Sequence, residues 1–131
     1  MALRWYTTVV DCRDIAAQAR WWAEVLGWKV EYEAEDEVVI VPAHEEIFRD
    51  FPFEQVPPAL VFVSVPEDKT VKNRLHIDLA PHTSDDRDAE IERLLSMGAT
   101  RVDVGQGADV TWDVLADPEG NEFCVLSSRD D

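Results

Sequence analysis

Apolar positions along this chain fall into two rhythms, and the rhythms arrive in the same order twice. Residues 3–10 alternate with period two, Tyr6, Thr8 and Val10 on one side and Trp5, Thr7 and Val9 on the other, which predicts a strand. From Ile15 the apolar residues Ile15, Ala19, Trp22, Val25 and Leu26 step by threes and fours, the spacing of one helical face. Asp14 is placed to cap the start of that helix and Gly27 its end. Trp21 falls off the face and is expected to point toward a partner or a cavity rim. Residues 28–32 and 37–41 alternate again around a turn, and residues 59–65 make a fourth strand, apolar on both sides. Residues 42–58 are irregular; Phe48, Phe51 and Phe53 are expected to plug the end of the core, with a loop folding over something as the alternative.

The second half repeats the order. In Lys72–Leu79, K-N-R-L-H-I-D-L, alternation puts Leu75, Ile77 and Leu79 on a core and Arg74, His76 and Asp78 on the opposite wall. A helix follows, capped by Ser84 or one of the aspartates after it, with Ala89, Ile91, Leu94 and Leu95 as its apolar side and Gly98 as its end. Residues 101–104 and 110–115 read as strands around Gly105-Gln106-Gly107. The turn Asp117-Pro118-Glu119-Gly120-Asn121 then feeds a last strand over 122–126. Each half therefore reads β-α-β-β-β, an internal repeat joined by the charged connector 66–71. The fold class is α+β: a single domain of two βαβββ modules, about 1–66 and 72–128. One helix covers only one face of each sheet, leaving the other to meet its counterpart or enclose a ligand.

Composition narrows the setting. The 131 residues are 46% hydrophobic, enough for a globular core, and no apolar run approaches the roughly 20 residues of a membrane helix. The opening M-A-L-R-W-Y lacks a secretion signal, so a cytoplasmic location is expected, with Cys12 and Cys124 as free thiols. A formal net charge of −16 repels phosphate backbones and acidic membranes, excluding nucleic-acid and membrane partners; it draws cations, or simply solvates the surface.

Three kinds of residue carry candidate chemistry. His76 is either a base or hydrogen-bond donor to a ligand, or a histidine satisfied by Asp78 or Glu122. Cys124 has no basic neighbour in sequence to lower its pKa, which favours a buried filler over a reactive thiol. Trp5 and Trp112 are candidate aromatic walls, suited to planar or cationic organic ligands.

The element order, with W-W-A-E-V-L-G-W at 21–28, K-N-R-L-H-I-D-L at 72–79 and W-D-V-L-A-D-P-E-G-N-E-F-C-V at 112–125, resembles the vicinal-oxygen-chelate superfamily of glyoxalase I, bleomycin-resistance proteins and extradiol dioxygenases. Its glyoxalase-like domain proteins are the most similar. The resemblance implies a cupped mixed sheet around a small-molecule cavity, often in a homodimer. Metal-dependent members take two ligands from each module, and the matching positions here are Thr7, Val63, His76 and Cys124. A divalent ion needs about three or more donors, so no metal and no cofactor is expected. A slipped site from His76, Asp78, Glu122 and Cys124 stays open, because Glu122 shares the parity of Cys124 about 7 Å along its strand and Asp78 bears the same relation to His76.

The resulting expectation is a metal-free binder of an aromatic or cationic small molecule, contacted by Trp5, Thr7, Val9, Val63, His76, Asp78, Trp112, Glu122 and Cys124. The alternative is a lyase or dioxygenase-type enzyme using His76 with Asp78 or Glu122. A third reading is an interaction module whose cavity is filled.

Overall fold

Parallel strands cannot be joined by a tight turn, and this chain solves the same crossover problem twice. The computed structural model describes residues 3–107 and 109–130. They divide into two compact units, Met1–Asp68 and Lys69–Asp131, close to the module boundaries expected from the repeat.

In the first unit, β1 (Thr7–Cys12) leads through α1 (Ile15–Leu26) to β2 (Trp28–Glu33), β3 (Glu37–Pro42) and β4 (Ala59–Ser64). The sheet order is β1-β4-β3-β2, with β1 parallel to β4 and the other pairs antiparallel. Asp14 caps α1 by accepting from Ala17 N at 3.2 Å, and Gly27, at φ 68°, ends it in the left-handed conformation that glycine adopts without strain. Ile15, Ala19 and Trp22 face inward, and Ile40 and Phe62 lie fully buried in the sheet.

Three expectations fail in this unit. The first strand begins at Thr7, not Leu3, because its ladder with β4 starts at Thr7↔Ala59; Leu3, Trp5 and Tyr6 are exposed. Trp21 is buried and meets Trp22 edge-on, centroids 5.2 Å apart at 80°. The buried face of α1 is wider than the apolar stripe, taking in Gln18 and Ala23 as well, so neighbouring indoles both fit. Phe51, between the two short 3-10 turns Glu45–Phe48 and Phe53–Gln55, and Phe53, on the second of them, are exposed and do not plug the core; Phe53 instead stacks under the Arg4 guanidinium.

In the second unit, β5 (Ile77–Leu79), α2 (Arg87–Ser96), β6 (Thr100–Arg101), β7 (Asp113–Ala116) and β8 (Glu122–Val125) form a sheet of order β5-β8-β7-β6. β5 is parallel to β8, so the repeat read from the sequence is a repeat of topology. Both modules are α+β units with a four-stranded mixed sheet. Asp86 caps α2 through Ala89 N at 3.2 Å; Ile91 and Leu94 are buried while Ala89, on the first turn, is exposed. At the 117–121 turn, Asp117 Oδ1 accepts from Glu119 N and Asn121 N, both at 3.0 Å, and Gly120 takes a φ of 90°.

The central expectation is half right. β5 spans three residues, paired Ile77↔Phe123, Asp78↔Cys124 and Leu79↔Val125, and residues 72–76 run outside the ladder. Leu75 is 86% exposed where alternation placed it on a core. β6 likewise holds two residues where four were expected. Both cysteines are buried, and among the described residues no helix is long and apolar enough to cross a membrane.

A pocket on the second sheet as candidate functional site

Register decides what this pocket contains. Asp78 on β5 pairs with Cys124 on β8, which pairs with Val114 on β7, so the three side chains form a row across one face of the sheet. Alternation adds Glu122 and Leu126 beside Cys124, and Trp112 beside Val114. The opposite face receives Leu115, Phe123 and Val125, all buried. One face is thus core and the other is a wall.

That wall borders a pocket of about 470 Å³, also lined by Lys72, His76 and the loop residues Val104, Gly105 and Gln106. His76 Nε2 lies 3.1 Å from Asp78 Oδ1, with both side chains close to half exposed. The ligand-type atoms of His76, Asp78 and Cys124 all lie within 4.8 Å of one another. Burial pushes the Cys124 thiol above its ordinary pKa; the Asp78 carboxylate, by its charge and by accepting a hydrogen bond from the thiol, adds to this, and the Lys72 charge opposes it. The thiol is therefore held protonated beside a carboxylate.

Glu122 is occupied differently. Its carboxylate accepts from Lys69 Nζ at 2.9 Å and from Asn73 N at 3.2 Å. Burial alone would raise its pKa, but these hydrogen bonds, with one from its own backbone and the Lys69 charge, outweigh burial and hold it below the usual carboxylate value. Glu122 fastens the irregular 69–73 segment to β8.

The family model of the glyoxalase-like domain matches residues 7–126. The chain belongs to this family. Among curated proteins none matches it. Solved structures share its fold at low identity. A glyoxalase/bleomycin resistance protein/dioxygenase family enzyme from Burkholderia phytofirmans PsJN is 15% identical, covering 97% of this chain and 100% of its own, at a TM-score of 0.68. The fosfomycin resistance protein FosX from Mesorhizobium loti is 13% identical over 98% and 94%, at 0.65. A glyoxalase-related enzyme from Fulvimarina pelagi is 14% identical over 94% and 86%, at 0.61. At such identities the likeness is one of fold, and the chemistry must be read from this glyoxalase-like domain itself.

The structure sorts the expected site residues into two groups. His76, Asp78, Trp112, Glu122 and Cys124 line a single shared pocket in the second unit. Thr7, Val9 and Val63 belong to the first unit, where the register Val9↔Val61 and Asp11↔Val63 puts them on a common sheet face. Trp5 precedes β1 and is 70% exposed. Sequence reasoning missed Lys72, Val104, Gln106, Val114 and Leu126. Parity with Cys124 and Trp112 would have found Leu126 and Val114; nothing local marks the loop residues.

The glyoxalase-like domain of metal-dependent relatives would imply an ion, and the donors here test that. Glu122 is committed to Lys69 and Asn73. An imidazole, a carboxylate and a thiol remain, a three-donor set with room for a fourth ligand, of the composition zinc accepts. His76, Asp78 and Cys124 would hold such an ion, which would supply Lewis acidity to a group entering the pocket.

Proposed function

We propose that this chain binds a small organic molecule in the second-unit pocket, its aromatic part against Trp112 and a donor or cationic group directed at Asp78. One observation carries this reading: a wall of Val104, Trp112, Val114 and Leu126 ends on the polar group of His76, Asp78 and Cys124 in a space of about 470 Å³. Apolar walls with a few convergent polar groups are the usual form of a small-ligand site, and this volume is in the customary range. Trp112 is 38% exposed, leaving its indole ring open to stacking, and the net charge of −16 favours cationic ligands. Nothing in this mode of binding requires an ion. A reducing, cytoplasmic setting, which would keep the Cys124 thiol reduced, is proposed with it, and so is a homodimer.

The test is a thermal-shift screen of metal-stripped protein against planar aromatic compounds, cationic and neutral, followed by calorimetry. A stabilising compound whose effect disappears in Trp112→Ala and weakens in Asp78→Asn supports the reading. Absence of any stabilising compound, or an effect indifferent to Trp112, would sink it.

A second reading, catalysis, is favoured by the 3.1 Å contact between His76 and Asp78. A carboxylate on one ring nitrogen orients the imidazole and leaves the other to act as a general base toward the ligand. Turnover of a bound compound that vanishes in His76→Ala, at unchanged melting temperature, identifies it.

A further inference from the structure

The second-unit pocket presents two charges of opposite sign to whatever enters it. Two of the chain's three lysines engage carboxylates, Lys29 with Glu45 at 3.2 Å and Lys69 with Glu122 at 2.9 Å. The third, Lys72, lines the pocket and pairs with no carboxylate among the described residues, in a chain of 28 acidic against 12 basic residues. Its charge acts on Cys124, the ladder partner of Asp78, so it stands over the same polar row. Asp78 supplies the opposite charge, with 48% of its side chain exposed beside His76. The other carboxylate of the wall, Glu122, is already neutralised by Lys69.

We infer that the ligand of this pocket is an aromatic zwitterion, its ring on Trp112, its ammonium at Asp78 and its carboxylate at Lys72. This rests on the proposed function and deepens it, from an aromatic with a donor or cationic group to one bearing both signs of charge. Selection works by exclusion as much as by attraction. A neutral aromatic strips water from the Lys72 ammonium and the Asp78 carboxylate and returns no hydrogen bond to either. An amine alone satisfies Asp78 but brings a second cation toward Lys72. An acid alone satisfies Lys72 but brings a second anion toward Asp78, and the −16 charge of the chain already repels it at a distance. A ligand with both groups gives each wall charge an opposite partner and carries no net charge of its own. Val104, Val114 and Leu126 then cover the rest of its ring surface. Because a lysine ammonium acts as a compact point charge, Lys72 selects for charge at this end of the ligand and not for a planar geometry.

The experiment measures the affinity of the full chain, by calorimetry, for two matched sets of probes. Tryptophan is compared with tryptamine and indolepropionate. The second set compares para-aminomethylbenzoate, whose two charges stand further apart, with benzylamine and benzoate. The expected result is that one of the two zwitterions binds at least about tenfold more tightly than its amine-only and acid-only counterparts, the worth of one added charge-assisted hydrogen bond. Lys72→Met equalises that zwitterion and its amine, Lys72→Arg keeps the preference, and Asp78→Asn removes the preference over the acid. Lys72 and Asp78 are both exposed, so these variants should fold, and their melting temperatures check it. An amine that binds as tightly as its zwitterion, a preference that survives Lys72→Met, or no binding of either zwitterion overturns the inference. In that event, singly charged or neutral aromatics that still bind through Trp112 leave the proposed function standing. If no compound of the thermal-shift screen binds, the proposed function falls and this inference falls with it.

Discussion

Lys69 Nζ sits 2.9 Å from Glu122 Oε1, with only 19% and 10% of the two side chains exposed. With the Asn73 N–H on the other carboxylate oxygen, this pair replaces the strand pairing that residues 69–73 lack. The segment that delivers Lys72 and His76 to the pocket therefore hangs on one carboxylate. Its partner is buried too, so removing the acid strands a cation. Glu122→Gln is expected to cost about 1.5–3 kcal/mol in urea unfolding, the usual worth of charge-assisted hydrogen bonds. Hydrogen exchange should show the loss concentrated at 69–76; a uniform loss across the unit would contradict the clamp.

Leu75 and Phe123 make a paired test of where β5 begins. Phe123 is 1% exposed and Leu75 is 86% exposed. Phe123→Ala is expected to destabilise by about 3–5 kcal/mol, while Leu75→Ser should stay within about 0.5 kcal/mol of wild type. A large loss at Leu75 would restore the longer strand that its alternation suggested.

What was legible in the sequence was whatever is encoded locally. The Asp14 cap, the Gly27 stop and the D-P-E-G-N turn each depend on a few adjacent residues, and each stands where expected. Alternation over residues 72–76 misled because period two records which side a residue would take in a strand, not whether a partner strand is there to pair. Trp21 misled for a related reason: apolar spacing marks the centre of a helix face but not its width. Five of the residues lining the second-unit pocket were legible in the sequence, but their geometry was not. Its tightness comes from His76 lying just outside the ladder, a boundary no local signal marks.

Glu31 and Glu45 give a pH prediction. A hydrogen bond with Glu45 raises the Glu31 pKa, burial and the charge of Glu45 add to this, and Lys29 opposes it. A carboxyl raised in the folded state contributes stability below its unfolded value of about 4.5, and that contribution is lost as pH rises through the folded value. At neutral pH the pair is therefore a liability. Glu31→Gln should raise stability there by less than about 0.5 kcal/mol, since Glu31 is solvent-screened, and the gain should vanish in acid. Urea midpoints at the two pH values check it; a gain that grows on acidification would reverse the sign.

Asp117 tests the turn that positions β8. Its carboxylate oxygen takes two backbone N–H groups, its side chain is almost wholly buried, and its carbonyl accepts from Gly120 N at 2.9 Å. Asp117→Ala leaves those N–H groups without their acceptor and should cost about 2–4 kcal/mol. Gly120→Ala meets no atom within 4 Å, so its cost is purely the strain of φ 90° on an L-residue, about 1–2 kcal/mol. The two act on one turn, so the double variant should lose less than the sum of the single losses. β8 carries Glu122 and Cys124, and a loosened turn should also weaken whatever the pocket binds. Additive losses, or binding unchanged in a destabilised Asp117→Ala protein, would show that β8 is held in place by the core face alone.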